Sequence, residues 1–329
     1  MPRLYRQPCI PKATIPTAAP NPTDNLMKRR QFVRATAAAV ALSADPLHLV
    51  ARDPIHRQGP PRFQIGLAAY SLRSQFRFMK GKPQTPSNDG PAIDMIGFLD
   101  YCVAQNVDAA ELTSYFFKPK PDNDYFLNLK REAFERGVTI SGTAIGNNFT
   151  VGRGPKLDTE IQEAITWIDR AAKLGAPHIR FFAGTAAQLA SAPQRIEEAS
   201  EALNRCAKHA ATQGIFIGVE NHGNLTSNQM MELMRRADNP WIGINLDTGN
   251  FLSDDPYGDL ERCVPYAVNV QVKVTMKTPE GKAYPADIDR IGKILKDGGY
   301  QGFVILEFEE NQPYDHIPPA LDQLRSALS

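Results

Sequence analysis

The sequence predicts an α/β chain folded as one closed eight-stranded barrel, and three observations lead there. Eight short apolar runs alternate with amphipathic helical stripes from residue 63 to the C-terminus. Alternating units of this kind demand a parallel sheet, and eight of them over roughly 265 residues is the usual size of a (β/α)8 or TIM barrel. The last four runs each place polar side chains at the C-terminal end. No G-x-G-x-x-G follows the first run, which argues against an open doubly wound sheet.

The elements follow in order. FQIGLAAYS (63–71) is the first strand. After a Gly/Pro/Ser-rich loop, Pro91 suits the first turn of a helix that continues over 93–105. The second strand is 107–117, then a helix over 125–136 ends at Gly137, a residue suited to a helix C-terminus. Strand three is 138–146. Leu157, Ile161, Ile165, Ile168 and Ala172 form a helical stripe stopped by Gly175. Strand four is 178–184, and Ile196, Ala199, Leu203, Cys206 and Ala210 mark the next helix. GIFIGVENH (214–222) is strand five. A helix capped at Thr226 or Ser227 runs to Ala237. Strand six (242–247), a short helix (257–263), strand seven (266–274), a helix (286–297), strand eight (302–308) and a last short helix (318–328) complete the chain.

Composition narrows the function classes. Hydrophobic residues make up 42% and charged residues 22% of the 329 residues, an ordinary globular balance. A formal charge of +1 gives no basic excess of the kind a nucleic-acid surface shows. The four cysteines (Cys9, Cys102, Cys206, Cys263) form no C-x-x-C, so neither a zinc knuckle nor a redox pair is expected. Cys102 and Cys206 fall in helical patterns and read as small buried apolar residues.

Residues 1–26 have no apolar periodicity and read as disordered, or as the product of an upstream start codon. Residues 27–61 open with MKRRQF and an Ala/Val/Leu run, the layout of a twin-arginine export signal and its linker. The run is too short for a stable membrane span. On this reading the barrel (62–329) works in the periplasm or beyond it; a basic N-terminal helix of a cytoplasmic protein is the alternative.

Strand alternation supplies the candidate site. If Glu220 faces the barrel interior, so does Gly218; Asp247 shares a face with Asn245, Gln271 with Asn269 and Lys273, and Glu307 with Ile305. Acidic and amide side chains thus occupy the last inward rung, at the mouth where such barrels hold their active sites. Converging buried carboxylates repel one another and are costly without a partner. One divalent cation removes both problems, and oxygen donors suit Mn²⁺ or Mg²⁺ first, with Co²⁺ or Zn²⁺ as further options. The expected ligands are Glu220, Asp247, Gln271 and Glu307, with His222 or water as an alternative fourth donor. His222 and Lys273 are expected to reach substrate, as is Tyr70 at the end of strand one. Glu111 and Arg180 take inward positions, as pocket residues or as a buried pair bracing the barrel. His178 sits at the wrong end of strand four for chemistry and reads as structural.

The succession VENHG, NLDTGN, VQVKV and ILEFE behind eight βα units resembles the xylose-isomerase-like barrels known as sugar phosphate isomerases/epimerases, from Phe63 to about Asn311. The resemblance implies one divalent metal held by a glutamate, an aspartate, a histidine and a glutamate on strands five to eight. Three of those positions are Glu220, Asp247 and Glu307; the histidine is replaced by Gln271. It also implies isomerisation or epimerisation through an enediolate, with Glu220 and Glu307 as the base and acid pair. The same intermediate could expel a leaving group, making the chain a lyase or dehydratase on keto-sugars or inosose-like substrates. The missing histidine leaves room for a non-catalytic carbohydrate-binding barrel. A phosphodiesterase of the apurinic-endonuclease type gathers several histidines around a multi-zinc cluster; only six histidines occur here, and His48 and His56 fall in the leader or linker. An exported enzyme would meet free sugars rather than sugar phosphates, and relatives of this kind often form homo-oligomers.

Overall fold

The computed structural model of the chain describes residues 53–88 and 90–329. The segment 1–26, the twin-arginine signal and Cys9 lie outside the described residues. Within them no helix is long and apolar enough to cross a membrane.

Eight parallel strands close into a barrel: β1 (Arg62–Ala68), β2 (Ala109–Thr113), β3 (Thr139–Ala144), β4 (His178–Phe182), β5 (Phe216–Glu220), β6 (Ile242–Asp247), β7 (Ala267–Val272) and β8 (Gln301–Leu306). Each pairs with its sequence neighbours, and β1 closes the ring by pairing with both β8 and β2. The connections carry helices α1 (Met95–Ala104), α2 (Asn123–Glu135), α3 (Pro155–Leu174), α4 (Ala186–Ser191), α5 (Arg195–Gln213), α6 (Ser227–Arg236), α7 (Pro256–Cys263) and α8 (Ile288–Asp297), and α9 (Pro313–Leu328) ends the chain. The main apolar core lies between strands and helices, as α3 illustrates. Its Leu157, Ile161, Ala164, Ile168, Ala171 and Leu174 are buried, each large aliphatic one contributing about 1.5–3 kcal/mol. Cys102, Cys206 and Cys263 are buried free thiols. A smaller apolar cluster of Ala68, Ala109 and Ile305 is separate from that shell.

Three expected boundaries shift and one unexpected helix appears, for local reasons. β1 stops at Ala68, because residues 69–72 form a 3₁₀ turn that carries Tyr70 above the strand end. α1 begins at Met95 rather than at Pro91, since the Asp94 side chain accepts from the N–H groups of Ile96 and Gly97 and fixes the N-terminus there. α4 is six residues long, too short to show a period; its signal is the Thr185/Gln188 capping box. α9 starts at Pro313, a favoured first position, and contains Pro318 and Pro319, each removing one backbone donor. The buried stripe Ile317, Leu321, Leu324 and Leu328 holds that segment helical. Two antiparallel hairpins that alternation does not reveal, 78–83 and 275–285, lie in the connections after β1 and β7.

His178 opens β4 and is 4% exposed, with neither ring nitrogen hydrogen-bonded. It fits because Gly142 and Gly218 face it; a Cβ at either would collide with the imidazole. Burial, helped by the Arg180 charge, pushes its pKa down from 6.5 to about 3. Between those values the unfolded chain binds a proton that the folded chain refuses, so stability falls as pH drops below 6.5. Replacing His178 by Leu should remove about 2 kcal/mol of the stability difference between pH 6.5 and pH 5, read from urea unfolding at both pH values. The comparison with wild type isolates this group, because the raised carboxyl of Glu220 works in the opposite sense.

Candidate active site at the C-terminal mouth

Strand ends bring the polar side chains together. Glu220 is the last residue of β5 and is 4% exposed. Its Oε2 lies 2.8 Å from Arg180 Nε in a charge contact whose N–H is not aimed at the oxygen, and its Oε1 accepts from Asn250 Nδ2 at 2.9 Å. Arg180, from the middle of β4, also donates from Nη1 to the Ile145 carbonyl at 2.7 Å and stacks its guanidinium over Phe182 at 4.1 Å. The expected Glu111–Arg180 pair therefore does not form, because Arg180 takes Glu220 as its ionic partner.

Glu111 instead anchors an amide network deeper in the barrel. It accepts from Gln271 Nε2 at 2.8 Å and from Asn269 Nδ2 at 3.2 Å. Asn245 Nδ2 donates to Gln271 Oε1 at 2.6 Å, and Asn269 Nδ2 donates to Asn245 Oδ1 at 2.8 Å. Burial pushes the Glu111 carboxyl up, against the lowering effect of Arg180 and the amides. Asn245 and Asn269 are therefore structural partners of Gln271, visible beforehand only as residues of matching parity.

Asp247 is fully buried at the end of β6 and is positioned by its neighbours. The Asn221 side chain brackets its backbone, donating to the Asp247 carbonyl and accepting from its N–H. The N–H of Gly249 donates to Asp247 Oδ1 at 2.8 Å. Oδ2 has no aligned hydrogen bond, and Lys273 Nζ lies 3.0 Å from it.

Lys273 is the centre of the mouth. Its Nζ is also 3.5 Å from Glu307 Oε2, 3.2 Å from Glu309 Oε1 and 3.4 Å from Asn250 Oδ1. Gly249 gives the stem passage, since a Cβ there would come within 2.8 Å of Lys273 Cδ. Burial alone would push the ammonium down; Asp247, Glu307 and Glu309 outweigh it and hold the group well above the ordinary lysine range. Glu309 and Asn250 were not singled out from the sequence. Glu309 continues the parity of Glu307 in ILEFEE, and Asn250 lies three residues beyond Asp247 in LDTGN.

Two carboxyls at this mouth are displaced toward the neutral form. Burial raises Glu220 to about 7, opposed by Arg180 and reinforced by Asp247. Burial also raises Glu307 well above the usual carboxylate range, opposed by Lys273 and reinforced by Asp247 and Glu220. The remaining expected residues sit at the rim. Tyr70 is half-buried against Phe116 beneath the Arg73 guanidinium, and after burial the Glu309 charge is the largest influence raising its hydroxyl pKa. The exposed His222 stacks on Phe182 with ring centres 4.2 Å apart.

The donor set does not suit the expected divalent ion. Gln271 spends its amide oxygen on Asn245 and its amide N–H on Glu111, so it does not stand as a fourth ligand. An ammonium already sits among Asp247, Glu307 and Glu309, and Glu220 is engaged by Arg180 and Asn250. Among the described residues no three His, Cys, Asp or Glu side chains are gathered to hold a metal.

Residues 99–328 match the family model described as a xylose isomerase-like TIM barrel. The chain belongs to that family. Its solved structural neighbours include D-psicose 3-epimerase with D-tagatose from Clostridium cellulolyticum H10, at 16% identity and TM-score 0.63, covering 81% of this chain and 99% of that one. Another is 3-keto-D-glucoside 4-epimerase from E. coli in its apo form, at 16% identity and TM-score 0.57, covering 80% and 100%. A third is the IolI protein with a binding zinc atom, at 15% identity and TM-score 0.61, covering 80% and 96%. No curated protein matches the chain. At these identities the neighbours share the fold, and the side chains of this mouth must be read for themselves.

Proposed function

We propose that the chain is an isomerase or epimerase of free sugars or keto-sugars, working by proton transfer beside a carbonyl. The observation that carries this reading is the pair of buried carboxyls, Glu220 at the end of β5 and Glu307 just past β8, with β6 and β7 between them. Both are poised toward the neutral form, which suits groups that take and return protons near neutral pH. Ionised Glu220 removes the proton next to the substrate carbonyl. The C–H pair becomes the enediol double bond, and the carbonyl π pair moves onto oxygen. Neutral Glu307 then delivers a proton to the other face as that double bond collapses. The product leaves with inverted configuration, Glu220 protonated and Glu307 ionised, and exchange with water restores both.

Arg180 and Lys273 at the mouth are already engaged by carboxylates, which favours an uncharged sugar over a sugar phosphate. The twin-arginine reading of residues 27–61 supports the same choice, since an exported enzyme meets free sugars. Incubation in D2O with free ketoses and 3-keto-glycosides tests the proposal: one C–H position should exchange without loss of a substituent. The exchange rate should rise as pH increases through about 7, where Glu220 ionises, and fall again once Glu307 loses its proton. No exchange with any substrate of the panel, or exchange coupled to elimination, would remove the isomerase reading.

A further inference from the structure

We infer that Lys273 is a built-in cation that takes the place of a divalent metal, so that this mouth stabilises an enolate oxygen with an ammonium instead. The inference rests on the proton-transfer reading above for its chemistry, and on side-chain geometry for its placement. Four independent features converge on it. The ammonium stands within 3.5 Å of carboxylate oxygens from Asp247, Glu307 and Glu309, which come from β6 and the segment after β8. Asp247 and Glu307 are two of the four side chains expected to hold a metal at this mouth. Gln271, at the position where the family resemblance calls for a histidine, has both ends of its amide tied to Glu111 and Asn245. Gly249 clears a path for the lysine stem that any larger residue would obstruct. Finally, the Lys273 backbone is itself pinned, its N–H donating to Thr248 Oγ1 at 3.0 Å while Thr248 N–H donates to the Gln271 carbonyl.

A lysine held this way has one task available to it. It is kept charged, so it does not act as a Schiff-base nucleophile, which requires the neutral amine. It presents three N–H donors from a compact charge, and the carboxylates around it fix where that charge sits. As Glu220 withdraws the proton, the electron pair ends on the former carbonyl oxygen, and an ammonium N–H donates to that oxygen. No proton is transferred to or from Lys273, so its charge is unchanged over the cycle and no external electrophile is consumed. A divalent ion brought to the same carboxylates would have to displace the ammonium against like-charge repulsion.

The test uses the full-length protein after dialysis against EDTA. Metal content is measured by plasma mass spectrometry, thermal unfolding is followed with MnCl2, MgCl2 or ZnCl2 added, and D2O exchange is assayed on the same sample. Wild type should retain no stoichiometric metal, show no rise in midpoint with any of the three salts, and keep its exchange rate after chelation. Lys273→Gln should lose about 10²–10³-fold in exchange, as removal of one oxyanion donor does. The same variant should gain a midpoint rise with Mn²⁺, because its carboxylates have lost their counter-charge. One equivalent of metal in wild type, or exchange abolished by EDTA and restored by a metal, would overturn the inference. The wild-type titrations decide the matter even if Lys273→Gln does not fold. Metal-free behaviour without exchange on any sugar would leave the cation assignment standing and sink only the isomerase reading.

Discussion

Glu307→Gln is expected to reduce deuterium incorporation into the inverted product by about 10²–10⁴-fold, the usual contribution of a positioned general acid or base. The change is close to isosteric, and it removes the only group proposed to return the proton. The fold should survive it. Lys273 keeps Asp247 at 3.0 Å and Glu309 at 3.2 Å, so the ammonium is not orphaned. The measurement is therefore a pair: that incorporation rate and the thermal midpoint on the same preparation. A large loss of incorporation with little change in midpoint supports the assignment. An unchanged rate would show that Glu307 only neutralises Lys273, and the acid would have to be sought elsewhere at the rim, where the Tyr70 hydroxyl feels the charges of Glu309 and Glu307.

Arg180→Met is expected to cost about 3–5 kcal/mol of folding stability, the scale seen when one member of a buried ion pair is removed. Arg180 is 5% exposed and Glu220 4%, so neither charge can turn to solvent when the other goes. The loss has three parts: the Glu220 contact, the hydrogen bond to the Ile145 carbonyl and the stacking on Phe182. Urea unfolding gives the total. Adding Glu220→Gln to Arg180→Met should recover part of it, since the uncompensated carboxylate is then gone, while the carbonyl and ring contacts stay lost. If the double variant is no more stable than Arg180→Met, the ion pair is not what holds this rung together, and the amide network around Glu111 becomes the better candidate.

Much of the mouth was legible because strand geometry is periodic. A side chain period of two is enough to place Glu220, Asp247, Gln271 and Glu307 on inward rungs, and the structure finds them where alternation puts them, at or just beyond the ends of β5 to β8. The same periodicity gave the eight strands and the helical stripes between them. Partnership was not legible, because it depends on reach across the barrel. Arg180 could pair with either inward glutamate, and only the placement of β4 beside β5 decides for Glu220. Gln271 carries an oxygen suited to a metal, yet its amide is turned toward Glu111, 160 residues away in the chain.

Local chemistry thus determined the barrel, its polar end and the identity of the acids there, since each follows from residues within one strand or one turn. Tertiary structure alone decided which charge each acid meets. That choice is electrostatic and three-dimensional: Lys273, pinned beside the LDTGN turn, lies within 3.5 Å of carboxylates from two other segments. No pattern along the chain encodes those distances.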